Sequence, residues 1–320
     1  MNNQTRLNKR KTKKKKKWIW FLSPIAILLI IFAVYGVQLS SKIADITNQA
    51  FKPLERGESS SKRTEAVYPG KDNFSVLFIG VDEREKGRGS RSDVLILATF
   101  NKEDNTIKMM HIPRDSRVNI PGKKVDKIGH AHAYGGVDLT VATVEELLDV
   151  PVDYYVKLNF DAFVEIIDAL GGVTVDVPFT FTEQDSHDKK GAITLHEGTQ
   201  TLNGEEALAF VRMRKQDPRG DFGRGNRQQQ VIKAIIEKSA KMSSITKYDD
   251  MLDGIGDNLS TNLTFQNIIA LHPYAKSIHS IETIELKGKN STINGKYFYS
   301  LDEESVTEVS NIFKDHLGLK

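Results

Sequence analysis

Two aspartates at the ends of apolar runs, and a crowd of arginines around them, are the residues of this chain best suited to chemistry. Asp82 follows FSVLFIGV (74–81), Asp93 opens DVLILATF, and Arg114 with Asp115 follows TIKMMHIP. The loop between the aspartates adds Arg84, Arg88 and Arg91. A second group lies in ALAFVRMRKQDPRGDFGRGNRQQQ (207–230), which holds Arg212, Arg214, Asp221, Arg224, Arg227 and Gln228. Arginine presents a planar fork that grips two phosphate oxygens at once, so this inventory suits a diphosphate better than a lone anion. Two carboxylates alone would repel such a ligand. With Mg²⁺ (or Mn²⁺) between them, Asp82 and Asp93 become oxygen ligands, a set that magnesium completes with substrate phosphates and water.

The elements that must position these groups follow from periodicity. Phe74–Val81, Val94–Phe100 and Thr106–Ile112 are short β-branched runs between polar breaks and predict three strands. If they form a meander, the end of the first, the start of the second and the end of the third share one sheet edge, which gathers Asp82, Asp93, Arg114 and Asp115. Helices are expected at 138–148, 160–170, 204–208 and 228–241, and further strands at 174–178, 193–195, 281–287 and 296–300. Read with the two-residue period of a strand, 209–214 puts Leu208, Phe210, Arg212 and Arg214 on one face, an apolar surface running into two adjacent guanidiniums. Arg224, Arg227 and Gln228 then stand at the entry of a helix, where unpaired N–H groups favour an anion, and Gly220, Gly223 and Gly225 allow close backbone approach. The pattern predicts an α/β (α+β) sandwich whose central mixed, largely antiparallel sheet is flanked by helices.

Charge is distributed unevenly. Residues 1–17 hold nine Lys/Arg and no acid, although the whole chain of 320 residues has a formal charge of only +3. They precede WIWFLSPIAILLIIFAVYGVQL (18–39), 22 residues without a charge, enough to cross a hydrocarbon core of about 30 Å. The positive-inside bias predicts a basic cytoplasmic tail (1–17), an uncleaved signal-anchor (18–39), a polar extracellular stalk (40–71) and an extracellular domain (72–320). The lysine run serves topology and anionic lipid, not nucleic acid. The absence of cysteine excludes disulfides, thiolate nucleophiles and cysteine-ligated zinc. No GxSxG elbow and no GxxxxGK[ST] loop is present. His130 and His132, with no third ligand near in sequence, are expected to be structural, hydrogen-bonded residues.

GVDER (80–84), RSDVLIL (91–97), HIPRDSRVNIPG (111–122), DKIGHAHAYGG (126–136), VDYYVKLNFDAF (152–163), LNGEEALAFVRMRKQDPRGDFGRGNRQQQVI (202–232) and TNLTF (261–265) occur in order. Over residues 74–320 the chain resembles the LytR/CpsA/Psr proteins, and among them the teichoic acid transferases. The resemblance implies a bacterial enzyme of the Gram-positive cell membrane. Such an enzyme moves an anionic glycopolymer from a polyprenyl diphosphate carrier to peptidoglycan, making a phosphodiester to a muramic acid hydroxyl and releasing polyprenyl phosphate. By motif it implies Asp82 and Asp93 as magnesium ligands and Arg91, Arg114, Arg212, Arg214, Arg224 and Gln228 as a diphosphate clamp, with Asp221 helping to deprotonate the attacking hydroxyl. The prenyl chain requires an apolar cleft, for which Leu208, Phe210 and helix 160–170 are candidates. A diphosphatase acting on the lipid intermediate and a non-enzymatic binder of lipid or wall remain as alternatives, separable by product analysis with and without acceptor sugar.

Overall fold

The computed structural model describes residues 49–83, 90–241, 258–271, 274 and 281–319. In chain order these form β1 (Phe74–Val81), β2 (Ser92–Asn101), β3 (Thr106–His111), β4 (Arg117–Val118), β5 (Asp126–Lys127), α1 (His130–Leu148), β6 (Tyr154–Asn159) and α2 (Phe160–Ala169). There follow β7 (Val173–Val177), β8 (Phe181–Glu183), β9 (Ile193–Leu195), β10 (Gly198–Leu202), α3 (Gly204–Arg212) and α4 (Asp221–Lys241). The chain closes with β11 (Leu259–Thr261), α5 (Phe265–Ala270), β12 (Ile281–Ile284), β13 (Gly288–Ile293), β14 (Lys296–Leu301) and α6 (Glu303–Leu317).

A six-stranded sheet in the order β11-β6-β1-β2-β3-β12 carries the fold. The expected meander is present: β1, β2 and β3 pair antiparallel, with Phe74 opposite Phe100 and Phe100 opposite Ile107. Strands β6 and β12 join parallel to β1 and β3, so the sheet is mixed. Its two faces are both buried because apolar side chains occur at odd and even positions alike. Leu77, Ile79, Leu95, Leu97 and Met110 pack with α1 and α6 residues such as Val141, Val144 and Phe313. Phe74, Val76, Ile96, Ala98, Ile107 and Met109 point the other way, where Phe74 stacks on Phe100 at 4.6 Å. A second core joins α2, α3 and α4 to the small strands around Val173, Val175 and Phe181.

Two expectations change here. Residues 204–212 form a helix, not a helix followed by a strand. Asn203 caps it, accepting from Glu206 N while Glu206 bonds back to the Asn203 N–H, the reciprocal arrangement that fixes a helix start. Met213, at φ −56 and ψ 129, leaves the helix. Leu208 and Phe210 are therefore core, at 2% and 0% exposure in the second cluster, and do not line an open cleft. Helix α4 also begins at Asp221, seven residues before the helix expected from 228.

The polar stretch before β1 is packed along much of its described length. Leu54 enters the first core, Arg56 bonds to Glu145 and to Val152 O, and Arg63 pairs with Asp153 at 2.8 Å. No helix among the described residues is long and apolar enough to cross a membrane. The segment 18–39 lies outside the described residues.

Candidate anion-binding active site

The C-terminal ends of β1, β3, β6 and β12 and the start of β2 meet at one edge of the sheet. A register shift falls there: Gly80 faces Val94 and Val81 faces Ser92, leaving Asp93 as the extra residue of a bulge. Bulges re-aim side chains at strand ends, and the Asp93 carboxylate meets Arg114 Nη1 in a salt bridge. Asp82 leaves β1 one residue beyond Val81 and is half-buried.

Around that pair the charges alternate. Arg114 Nε lies 3.9 Å from Asp115 Oδ2, and Arg214 Nη1 lies 3.9 Å from the same oxygen and 3.7 Å from Asp221 Oδ1. Arg224 Nη2 is 3.0 Å from Asp221 Oδ1, and Lys127 Nζ is 2.7 Å from Asp115 Oδ1. Burial disfavours the charge on Arg114, but Asp93, Asp115 and Asp221 outweigh it and raise its pKa. Arg224 is the opposite case. Burial dominates and lowers its pKa, against Asp221 and Asp93 and with Arg114 and Arg214 adding repulsion. It is 5% exposed, and among the described residues its Nε and Nη2 complete no hydrogen bond. A buried guanidinium whose Nε completes no hydrogen bond, beside two other guanidiniums, is a site whose spare donors an anionic ligand's oxygens would satisfy.

The glycines work differently from expectation. A Cβ on Gly223 would overlap the Asp217 carboxylate, and one on Gly225 would come within 2.5 Å of the His111 ring. The close approaches are made by the protein itself. Asp217 is locked by Arg227, which also reaches Phe210 O and Met213 O. Arg227 therefore fastens the 213–220 turn beneath α4 and does not face a ligand. His111, missed in the sequence, is held neutral: burial and then Arg224 lower its pKa to about 3. Its signal was a lone histidine ending β3 on the face of Ile107 and Met109.

Of the sequence-predicted clamp, Arg114, Arg214 and Arg224 converge with Asp93 and Asp221. Arg212 and Arg214 are not a pair, because the helix ends between them. Arg212 lies 5.0 Å over the Phe160 ring, donates to Asp185 O at 3.2 Å and pairs with Asp188 at 3.1 Å. Phe160 directly follows Asn159, which faces Val81, so Arg212 stands on the β6 side of the same edge. Arg91 is exposed near Tyr134, and Gln228 is buried on α4 with Nε2 3.3 Å from Val211 O. Arg84 and Arg88 lie outside the described residues. His130 pairs with Asp126 at 3.1 Å and His132 Nδ1 lies 2.8 Å from Ser90 O, both in structural roles.

Among the described residues no group of three or more His, Asp or Glu side chains is placed to hold a metal ion by itself. The pair expected as ligands, Asp82 just beyond β1 and Asp93 in the adjacent β2, offers oxygen donors only. That set fits a magnesium that keeps water and phosphate ligands, and does not fit zinc.

The chain is 45% identical to the Bacillus subtilis (strain 168) polyisoprenyl-teichoic acid–peptidoglycan teichoic acid transferase TagT, over 99% of this chain and 100% of that protein. It superposes on TagT bound to LIIa-WTA with a TM-score of 0.73 at 46% identity, covering 84% of this chain and 100% of that one. It also matches TagT (YwtF) with bound octaprenyl pyrophosphate lipid, TM-score 0.69 and 43% identity over 84% and 100% of the two chains. The model of the LytR_cpsA_psr family matches residues 35–315, and the chain belongs to that family.

Proposed function

We propose that this protein transfers an anionic cell-wall glycopolymer, wall teichoic acid in the first instance, from a polyprenyl diphosphate carrier to peptidoglycan. The observation that carries the reading is Arg224, buried between Arg114, Arg214 and Asp221 with its Nε completing no hydrogen bond among the described residues. The family membership and the transferase names of its relatives give the anion its identity. Arg114, Arg214 and Arg224 hold the diphosphate oxygens and offset charge that grows on the transferred phosphorus. Arg212 and Gln228 flank the clamp, and Arg91 is its exposed arm. A muramic acid hydroxyl attacks that phosphorus. One P–O bond forms, the P–O bond to the carrier breaks, and polyprenyl phosphate leaves with the electron pair. Asp221 receives the hydroxyl proton. Asp82 and Asp93 would hold Mg²⁺, which supplies neutralisation of the diphosphate. Half-buried Phe78, Val94, Val156 and Ile232 beside the edge give the prenyl chain an apolar bed. The uncharged 18–39 segment behind nine cations supports a single-pass anchor with the domain outside the cell.

The test is transfer by the full chain in detergent from a lipid diphosphate-linked polymer to peptidoglycan fragments. The expected product is a polymer–muramic acid phosphodiester that disappears in Arg214→Ala and Asp93→Ala. Unaltered transfer in both variants would sink the assignment, and polymer phosphate released regardless of acceptor would identify a diphosphatase.

A further inference from the structure

Beside the arginine cluster the β13–β14 hairpin forms a small two-stranded sheet of its own, and the clamp reading gives it no task. It is fixed to the site by Tyr299 N, which donates to Asp115 O at 2.8 Å. Between it and the start of α4 lies a cavity of about 620 Å³. Arg214 and Asp221 are part of its wall, and Phe222, Asn290, Tyr297 and Tyr299 make up much of the rest.

The wall chemistry is specific. Tyr297 is 40% exposed, an uncommon state for a large aromatic, and its hydroxyl donates to Asn290 Oδ1 at 2.9 Å. Tyr299 is 5% exposed, and its buried hydroxyl completes no hydrogen bond, although the Gly288 N–H lies toward it. Gly288 lets the Tyr299 ring lie close, since a Cβ there would stand 2.8 Å from Cε1. Phe222 meets Tyr299 edge-on at 5.6 Å. Exposed Lys215, Arg219 and Lys289 form a cationic rim. An open aromatic face, the exposed Tyr297 hydroxyl and the exposed Asn290 amide, all in one concave site, are what a pyranose ring requires: stacking for its C–H face and partners for its hydroxyls. A prenyl chain would find too many polar groups.

We infer that this cavity is a carbohydrate subsite, and that it holds the acceptor sugar of peptidoglycan with its reacting hydroxyl toward Asp221. The inference rests on the transferase reading. Its direction comes from Asp221, which belongs both to the cavity wall and to the diphosphate cluster. A sugar seated against Tyr297 thus has the proton acceptor between itself and the phosphate. A second depression of about 570 Å³ continues past Phe222 along Thr283–Leu286, giving a polymeric glycan room for a neighbouring unit. The rim suits the carboxylates of peptidoglycan, while the donor's linkage sugar shares the same ring chemistry and is the competing occupant.

The experiment pairs calorimetric binding of a muramyl disaccharide-peptide with transfer kinetics, using the full-length protein, Tyr297→Ala, Tyr297→Phe and Tyr299→Phe. We expect Tyr297→Ala to weaken fragment binding about tenfold and to raise the acceptor KM alike, with donor KM unchanged. Tyr297→Phe keeps the stack and should retain most of the binding, and Tyr299→Phe, which removes a buried hydroxyl that does not reach the cavity, should leave fragment binding unchanged. A raised donor KM with unchanged acceptor binding would give the cavity to the donor sugar and overturn the assignment. No fragment binding by wild type, or equal binding by Tyr297→Ala, would also overturn it. Fragment binding is read without turnover, so a wild-type protein that binds the fragment through Tyr297 but transfers nothing would refute the transferase reading and leave the subsite standing.

Discussion

Arg224 Nη2 and Asp221 Oδ1 stand 3.0 Å apart in the first turn of α4, while Arg224 Nε completes no hydrogen bond among the described residues. The pair therefore separates two jobs that a sequence motif cannot. Asp221→Asn removes the proton acceptor but keeps the side-chain shape. Transfer should fall by about 10² to 10³ in kcat while lipid binding persists. Lost lipid binding in this variant, measured by fluorescence of a labelled prenyl diphosphate, would make Asp221 an orienting group for Arg224.

Arg212 and Arg214 should differ. Arg214 faces Asp221 and Asp115, so Arg214→Ala should lower kcat by at least about tenfold to a hundredfold. Arg212 stacks on Phe160 and reaches the 185–188 turn, so Arg212→Lys, which keeps charge but not the planar stack, should chiefly raise the donor KM. Identical kinetic profiles would contradict the divergence caused by the helix end at Met213.

Arg227 and Asp217 are a fastening. With 2% and 0% side-chain exposure, loss of one partner strands the other, and Arg227→Ala should cost roughly 3–5 kcal/mol, read as a lowered melting temperature. Gly223→Ala should be comparably damaging because the methyl would overlap Asp217. A fully stable but inactive Arg227→Ala protein would instead place that side chain in the chemistry.

Acid should loosen the fold before it protonates the buried histidines. His111 and His316 have pKa values lowered by burial from 6.5 to about 3 and about 4. The unfolded chain then binds more protons than the folded one between those values and 6.5. Their contribution to stability is full above pH 6.5 and is lost as pH falls toward 4 and then 3. His316, wedged between Thr99 and Thr106 far from the clamp, isolates the effect. Denaturation midpoints of His316→Gln should show a shallower slope across that window.

Chelation should suppress transfer and magnesium should restore it, with Asp93→Asn raising the magnesium concentration needed for half-maximal rate. Asp93 also balances Arg114, so a variant with normal metal dependence but weaker donor binding would assign it to the arginine alone.

Much of this geometry was legible because strands report it directly. The short apolar runs 74–81, 94–100 and 106–112, set between polar breaks, predicted three strands, and a meander of them forces Asp82, Asp93 and Arg114 to one edge. The stretch 204–214 misled because Phe210, Val211 and Met213 suit a strand as well as a short helix. The deciding information was the Asn203–Glu206 capping pair upstream. The early start of α4 was hidden by Gly223 and Gly225, poor helix formers whose presence is explained only by Asp217 and His111 lying against them.

The bulge at Asp93 gives that residue a second burden. Two residues of β2 span one of β1 at this point, so the position counts toward alignment as well as charge. Replacement by asparagine changes the electrostatics and spares the count. Deletion removes the acid and the bulge together, leaving Gly80–Val94 and Val81–Ser92 as consecutive pairs of a regular ladder. The bend that the extra residue puts into β2 and the charge it presents to Arg114 therefore come from one position, which ties the acid to the sheet's own alignment.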